Sequence, residues 1–336
     1  MKVIEIINNT KQFYQKKKLG IILYPVVCIF NTSTKLMSSK FKIKLSYFMN
    51  FGSFPDLKNP KTLNEKINWL KLNDRTPLHT ICADKYKMRN YVRKKIGEEY
   101  LVPIVFTTKR IEDINESAIP DFPVIIKTNH DSGGGYIIKD KSKVNWKELH
   151  NILKKRLKIN YYNKSNEWQY KNIERRIIVE KLLTNDKGGL PFDYKILCFN
   201  GKYNVAHVHI DRGTSNYKRN FYIKDWEKAP FLWPSVHDGH KIGFPTDYEL
   251  PKPAQFERMI ELSEILAAPF LCARIDWYIV EGKLYMGEIT FHQDGGLCPI
   301  YPPEWDLMLG QKLDLHIKGN VFEFKQVSSE IEIGGL

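Results

Sequence analysis

Two acidic residues in the C-terminal third of the chain have the type and spacing of a metal site. Asp276 and Glu288 lie twelve residues apart in the segment from 273 to 296, and apolar residues flank both of them. The polar turn at Glu281-Gly282 predicts a β-hairpin, which can direct both carboxylates toward one ion. Buried carboxylates need a partner, and hard oxygen ligands suit Mg²⁺ bound to phosphates. The alternative is a surface hairpin with two solvated acids.

A glycine-rich segment, from Thr128 to Gly135, is the second candidate. Its glycines would let backbone N–H groups approach a phosphate without obstruction by a Cβ atom. The spacing matches neither a Walker A loop nor G-x-G-x-x-G. Lys127 ends the strand predicted before this loop, where its side chain could reach a phosphate as a point charge. The alternatives are a surface turn without function and a solvated lysine.

Further charged residues follow along the chain. Asp193-x-Lys195 begins a predicted strand, and Asp211-Arg212 with Lys218-Arg219-Asn220 forms the densest cationic stretch of the folded body. Cations that converge on a cleft would stabilise a transferred phosphoryl group or hold a carboxylate. Glu180-Lys181-Leu182-Leu183 follows another predicted strand, where backbone groups can pair with an adenine edge. The alternatives are a solvated basic loop and a plain strand end.

Size and composition indicate a folded protein. The chain has 336 residues, enough for one large or two to three small domains, and aromatic residues make up 13% of it. The five cysteines are scattered and form no C-x-x-C pair, so we expect neither a disulfide framework nor a zinc site.

The positive charge is unevenly distributed. The net charge is +14, which favours anionic partners, and residues 1–50 contain nine lysines but one acid, Glu5. We therefore predict a basic leader on an enzyme body and no nucleic-acid groove. The apolar run from Leu19 to Phe30 is shorter than the roughly 20 residues that span a bilayer. It is expected either to lie on an anionic membrane surface or to form a buried helix.

The elements that must position these residues read as α+β. The capping signal Thr62-x-x-Glu65 opens a helix predicted at 61–72, and a second helix is predicted at 78–95. Residues 211–252 read as irregular and would shape the substrate pocket, with Trp233, His237 and His240 as candidate contacts. The other predictions are strands at 102–106, 122–127, 136–139, 176–180, 193–199 and 203–210, helices at 146–158 and 256–267, and a tail at 304–336 with a helix and a polar end.

The order of these motifs resembles the ATP-grasp superfamily, and in particular its TupA-like branch, which is found among genes for capsule, teichuronopeptide and other surface polysaccharides. The resemblance covers roughly residues 50–315. It implies an ATP-grasp fold, with two α+β lobes that clasp ATP and a helical N-terminal region. The segments that carry it are Asp84-Lys85, Lys127 with the glycine-rich loop, Glu180-Lys181, Asp193-x-Lys195, Arg219-Asn220, Arg274-x-Asp276, Glu288-x-Thr290, and the stretches 59–66, 167–171, 195–201, 218–221 and 287–291.

The resemblance also implies a role for each site residue. Lys85 and Lys127 would contact the ATP phosphates, and Asp193 would meet the ribose or the edge of the site. Of the catalytic residues, Lys195 and Arg219 would be cations near the γ-phosphate and acyl phosphate, and Arg274 would stabilise the transferred phosphoryl group. The other cofactor-binding residues would be His130, Ser132, Gly133, Gly134 and Gly135 in a lid over the phosphates, and Glu180, Lys181, Leu182 and Leu183 in a hinge that holds adenine.

The implied metal ligands are Asp276, Glu288 and Thr290, for one or two Mg²⁺ ions. The wider superfamily commonly has Glu-x-Asn at the last two positions. Here Thr290 replaces the asparagine, and its single hydroxyl is a poorer ligand, so the second metal site is less complete.

The activity implied is that of an ATP-dependent carboxylate–amine ligase that works through an acyl phosphate. The expected carboxylate belongs to a uronic acid of a capsular or O-antigen type polysaccharide or its precursor, and the expected partner is an amine or amino acid. The expected location is the cytoplasm, in peripheral contact with the inner face of the cell membrane. The alternatives are a glycosyltransferase, for which an Asp-x-Asp motif is missing, a kinase, and a non-enzymatic membrane- or glycan-binding module.

Five regions are expected on this interpretation. They are a basic leader at 1–50, an N-terminal region of helices and α/β structure at 51–118, a small lobe with the glycine-rich lid at 119–183, a large lobe with the Mg²⁺ site at 184–318, and a tail at 319–336.

Overall fold

The computed structural model describes residues 37–212, 214–234, 236–237, 241–242 and 244–316. The predicted apolar run of the leader, His240 and the predicted tail beyond residue 318 lie outside these residues, and so does the side chain of His237.

Two antiparallel sheets organise the described chain. The smaller has the order β1-β4-β2-β3 and the larger the order β11-β10-β5-β6-β7, and β8 pairs with β9 alone. The strands of the smaller sheet are β1 (Ile104–Thr108), β2 (Val124–Thr128), β3 (Tyr136–Ile138) and β4 (Ile177–Lys181). The remaining strands are β5 (Asp193–Phe199), β6 (Lys202–Ile210), β7 (Lys218–Tyr222), β8 (Val236–His237), β9 (Lys241–Ile242), β10 (Cys272–Val280) and β11 (Lys283–Thr290).

Helices cover both faces of the larger sheet and one face of the smaller. They are α1 (Ser39–Phe51), α2 (Leu63–Asn73), α3 (Pro77–Ala83), α4 (Met88–Ile96), α5 (Trp146–Lys158), α6 (Tyr161–Ser165), α7 (Phe256–Ala267) and α8 (Glu304–Lys312). The mixed α+β class is as the sequence predicts.

Successive side chains of β5 point to opposite faces of the larger sheet, which explains why a core packs on each face. Ile196 and Cys198 face a core that includes α4 and α7, whereas Leu197 and Phe199 face a second core that includes α2 and α8. A third core lies between the smaller sheet and α5. The face of β5 that carries Leu197 and Phe199 becomes charged at the other end of the strand, and this end forms the site described below.

Local signals set several boundaries correctly. Thr62 and Glu65 form the predicted capping box of α2, and α5 and α7 span the predicted ranges.

The single helix predicted at 78–95 is wrong. The Asp84 carboxylate accepts the N–H groups of Tyr86 (2.9 Å) and Lys87 (3.3 Å), which ends α3 and leaves Lys85 in a turn before α4. The structure also contains β7 within the stretch that reads as irregular.

Candidate active site

A β-bulge brings the two acids of the C-terminal hairpin to one face. The turn residues Glu281 and Gly282 have φ values of 50° and 72°, which is the conformation of a two-residue type I′ hairpin. From that turn the register runs through Val280↔Lys283 to Trp277↔Met286. Continued without a break, it would pair Asp276 with Gly287 and direct Glu288 to the opposite face.

The register shifts between Trp277 and Ile275, which pairs with Ile289. Gly287 and Glu288 therefore stand together opposite Asp276, as in a bulge. A Cβ on Gly287 would lie 2.9 Å from the Tyr278 ring, so a glycine fits this position. As a result Glu288 shares a face with Asp276, while Ile289 stays in the core.

One guanidinium nitrogen contacts all three predicted metal ligands. Arg274 Nη2 lies 2.8 Å from Asp276 Oδ2, 3.0 Å from Thr290 Oγ1 and 3.3 Å from Glu288 Oε1. Arg274 Nε also donates to Asp276 Oδ1 at 2.6 Å. The oxygen atoms of Asp276, Glu288 and Thr290 thus converge on one point, and the Arg274 guanidinium lies at that point.

Lys195 extends this cluster onto the neighbouring strand. Its ammonium group contacts the Asp276 carboxylate and donates to Asp193 at 2.9 Å. Arg212 Nη1 donates to the same Asp193 carboxylate at 2.8 Å. Asp193, Lys195 and Asp276 are buried, and buried ions are tolerated when each is paired in this way.

The surroundings shift the two acids of the hairpin in opposite directions. Burial raises the pKa of Asp276, although the charges of Arg274 and Lys195 oppose this shift. Burial alone would raise the pKa of Glu288, but the positive charges of Lys85 and Arg274, with smaller contributions from Lys195 and Arg212, lower it to about 2. Glu288 is therefore an anion at neutral pH.

The glycine-rich loop is held against this cluster from two sides. Lys85 donates to the Asp131 carbonyl, and its Nζ lies 3.9 Å from Glu288 Oε2. From α5, Arg156 Nε donates to Asp131 Oδ2 at 2.9 Å, and its terminal nitrogens reach the carbonyls of Gly133 and Gly134. The loop therefore connects the turn after α3 with α5.

The predicted phosphate lysine and the predicted hinge lie on adjacent strands. Lys127 on β2 forms an ion pair of 2.5 Å with Glu180 on β4. The Lys181 N–H donates to the Pro103 carbonyl and the Leu182 N–H to the Pro123 carbonyl, both at 3.0 Å. Both of these predicted hinge donors are therefore engaged within the protein.

A cavity of about 350 Å³ opens beside the charged face of the larger sheet. Among its lining residues are five predicted ones, namely Ser132, Lys195, Arg274, Glu288 and Thr290.

Two predicted residues have side chains engaged elsewhere. A ring nitrogen of His130 lies 3.2 Å from the Ile159 carbonyl, and burial lowers the pKa of the ring. Arg219 is 1% exposed, donates to the Asp294 carboxylate at 2.9 Å and stacks on Phe221. Asp294 itself lines the cavity, so Arg219 supports the wall from behind.

The sequence carries a family signature over most of its length. A sequence model of the TupA-like ATP-grasp family matches residues 65–314. The chain belongs to this family. No match was found among the curated proteins. Solved structures similar to this TupA-like protein include D-alanine–D-alanine ligase from Bacillus anthracis, at 17% identity over 76% of this chain and 69% of that one with a TM-score of 0.37. Another is L-amino acid ligase from Bacillus licheniformis, at 11% identity over 78% of this chain and 55% of that one with a TM-score of 0.38.

Membership in the TupA-like ATP-grasp family supports ATP-dependent carboxylate–amine ligation as the general activity, with ATP as the nucleotide. Within the described residues, no helix is long and apolar enough to cross a membrane.

The residues that could hold a divalent cation are few. In the part of the chain that the structure describes, three or more His, Cys, Asp or Glu residues nowhere group around one point. The candidate ligands in this TupA-like protein are therefore two carboxylates and a hydroxyl, from Asp276, Glu288 and Thr290. Oxygen donors of this kind suit Mg²⁺. Because the Arg274 guanidinium occupies the point on which they converge, an ion can bind there only when that side chain moves aside.

Several cavity residues carried no strong sequence signal. Lys71, His292 and Asp294 line the cavity but were not predicted as site residues. Glu167, also in the wall, lies within a stretch that matches the TupA-like branch, and that match was its one available signal. The sequence shows Arg212 only as part of a basic stretch, and its contact with Asp193 depends on the fold.

Proposed function

We propose that this protein joins the carboxylate of a uronic acid, in a surface polysaccharide or its precursor, to an amino acid or amine at the expense of ATP. The observation that carries the proposal is the convergence of Asp276, Glu288 and Thr290 on Arg274 beside a cavity lined by Lys195. The cations of this wall suit a carboxylate and phosphates. The resemblance to a branch associated with surface polysaccharides supports a uronic acid as the carboxylate substrate.

The proposed reaction has two steps. An oxygen of the substrate carboxylate attacks the γ-phosphorus, the bond from that phosphorus to the β,γ-bridging oxygen breaks, and ADP leaves. The amine nitrogen then attacks the acyl carbon, the carbon–oxygen bond to phosphate breaks, and amide, inorganic phosphate and a proton are released. No nucleophilic side chain is required.

Charge compensation is the main task of the protein in this chemistry. Lys195 and Arg274 lie where they can neutralise charge that develops on the transferred phosphoryl group. Asp276 and Glu288, with Thr290, would hold Mg²⁺, which when bound neutralises charge on the phosphates. The loop at 129–135 would cover the phosphates and keep water from the acyl phosphate.

The direct test is an ADP-release screen against uronic acids paired with amino acids and amines, followed by mass spectrometry of the products. We expect ADP release that depends on both substrates and a product with the mass of the amide. ADP release with a phosphorylated product and no amide would instead indicate a kinase. UDP release from a UDP-sugar without use of ATP would indicate the alternative, a glycosyltransferase.

Replacement of Glu288 by glutamine is the sharpest variant for this test. It keeps the shape of the side chain but removes the negative charge that Lys85 and Arg274 surround, so we expect turnover to fall about 100-fold or more. Glu281→Gln in the exposed hairpin turn is the matched control and should leave turnover unchanged. Equal activity of the two variants would contradict the metal assignment.

We also propose a cytoplasmic location with peripheral contact to anionic membrane. Phe41 and Met49 on α1 and Phe54 just after it are 48%, 42% and 61% exposed, and Lys40 on the same helix is exposed too. Apart from Phe54, these residues belong to the basic leader at 1–50. Apolar side chains beside lysines are typical of surfaces that bind anionic lipid.

Vesicle flotation tests this contact. The protein should float with vesicles that contain phosphatidylglycerol, and added salt should release it because salt screens the lysines. Phe41→Ser combined with Met49→Ser should weaken binding, whereas Leu307→Ser, an exposed apolar residue on α8, should not. Failure of the unchanged protein to float would refute the membrane contact.

A further inference from the structure

A buried lysine with neutral partners lines the cavity. Lys71 on α2 is 2% exposed, and its Nζ donates to the Gly295 carbonyl at 2.5 Å and lies 3.4 Å from Asn68 Oδ1. Within the described residues the ammonium group contacts these two neutral oxygens, and no carboxylate forms an ion pair with it. Because buried charges are usually paired, an unpaired one at a cavity wall indicates an anionic ligand.

Glu167 supplies the opposite charge in the same cavity. It is 6% exposed and lines the cavity together with Lys71. Among the described residues, its Oε2 atom accepts from Gln169 Nε2 at 3.2 Å and lies 3.3 Å from His292 Nδ1. These contacts orient the carboxylate and leave Oε1 for a ligand.

A tight turn fixes the two charges relative to each other. Asp294, Gly295 and Gly296 have φ values of 47°, 63° and 62°, so three left-handed residues follow one another. The turn begins just after His292, which contacts Glu167, and contains the carbonyl that accepts from Lys71. A Cβ on Gly296 would lie 2.7 Å from Asn68 Nδ2, so the turn packs directly on α2.

We propose that this end of the cavity is the subsite for an α-amino acid, which is the amine substrate of the ligase. The amino-acid carboxylate pairs with Lys71, and the ammonium group pairs with Glu167. Two opposite charges fixed in one small cavity match a zwitterion better than a simple amine, which would leave Lys71 unpaired. The proposal rests on the proposed function, because it assigns one of the two substrates of that reaction.

Direct binding to the whole protein tests the subsite without turnover. The protein would be saturated with Mg²⁺ and a non-hydrolysable ATP analogue and then titrated calorimetrically with each of the common L-amino acids. The best binder would be compared with its decarboxylated amine, its deaminated acid and inorganic phosphate. We expect the amino acid to bind at least about tenfold more tightly than each of the three, since each lacks one charge or the spacing between charges.

Variants locate the binding site. Lys71→Met and Glu167→Gln should each weaken amino-acid binding at least about tenfold. Lys66→Met is the matched control, because Lys66 lies on the same helix but donates to the Gly310 and Leu313 carbonyls at 2.7 and 2.6 Å. All three variants should bind the ATP analogue as the unchanged protein does.

Each other outcome has a defined meaning. Failure of the unchanged protein to bind the ATP analogue would contradict the proposed function itself. If the nucleotide binds normally, three results would overturn the subsite alone. They are that no amino acid binds, that the amine or phosphate binds as tightly as the amino acid, or that the Lys71→Met variant binds the amino acid as tightly as the unchanged protein does.

Discussion

Because Lys71 is buried, its contribution to the stability of the folded protein depends on pH. Its pKa is lowered from 10.5 to about 8, mainly by burial, which Glu167 partly offsets. Between pH 8 and 10.5 the unfolded chain binds more protons at this position than the folded chain does. The contribution of Lys71 to stability therefore rises with pH across this window, and below pH 8 the full cost of the buried charge is present.

Lys71→Met should consequently not lower stability at pH 7. Removing the buried charge stabilises the folded state, whereas losing the hydrogen bond to Gly295 costs about 1 kcal/mol. We therefore expect the free energy of unfolding to rise by about 1–3 kcal/mol. Urea unfolding at pH 7 and pH 10 measures this, and the advantage should shrink at pH 10, where the lysine of the unchanged protein is neutral. Lys66→Met should be destabilising at both. A Lys71→Met protein less stable than the unchanged one at pH 7 would contradict the interpretation.

Thr290 is the weak point of the proposed metal site. Thr290→Val keeps the shape but removes the hydroxyl, so we expect the Mg²⁺ concentration for half-maximal ADP release to rise about fivefold, equivalent to ~1 kcal/mol. Thr290→Asn supplies an amide oxygen and should lower that concentration. A Thr290→Val protein with the Mg²⁺ dependence of the unchanged one would exclude the hydroxyl from the ligand set.

At the scale of elements, the hairpin shows what sequence patterns can and cannot predict. The turn at Glu281-Gly282 and the flanking apolar residues predict two paired strands correctly. The shared face of Asp276 and Glu288, however, depends on a bulge, because an unbroken two-residue hairpin would put them on opposite faces. Gly287 is the sequence signal of that bulge, and a glycine in a strand is ambiguous without the structure.

Helix boundaries are likewise predictable from the sequence only where the signal lies within a few residues. The capping box at Thr62 and the amphipathic pattern of α7 act within a few residues, so the sequence predicts both helices well. The break after α3 depends on one carboxylate, Asp84, which binds the following backbone and also accepts from the Asn129 side chain. Strand β7 was missed because it is defined by pairing with β6, as in His209↔Arg219, and not by its own pattern.

Two neighbouring glycines of the glycine-rich loop should respond differently to substitution. A Cβ on Gly135 would lie 2.5 Å from Ile125 Cγ1 and 2.9 Å from the Ile126 carbonyl, whereas one on Gly134 would have nothing within 4 Å. We therefore expect Gly135→Ala to destabilise the protein by about 1–3 kcal/mol and Gly134→Ala to leave stability nearly unchanged. Thermal unfolding of both variants checks this. Equal effects would mean that the loop packs differently against β2.

At the scale of the whole molecule, the cavity explains why sequence reasoning found only part of the site. The ATP-grasp residues recur at fixed places in the chain, so a resemblance can reveal them. Lys71 and Gly295, in contrast, are 224 residues apart in sequence, and their contact exists only because α2 packs against the turn at 294–296. Nothing local distinguishes Lys71 from Lys66, the other lysine of its helix.

The attachment of α2 to α8 has a consequence for the time at which the enzyme becomes active. The N–H and side-chain amide of Asn64 donate to the buried Asp306 carboxylate at 3.0 and 2.9 Å, and Lys66 reaches the end of α8. During synthesis, Asp306 leaves the ribosome after every residue of the cavity wall. A growing chain therefore lacks the anchor of α2, and with it Lys71, until α8 has emerged and folded. In the proposed reaction, an unfinished polypeptide would therefore hold no amino acid in position to attack an acyl phosphate.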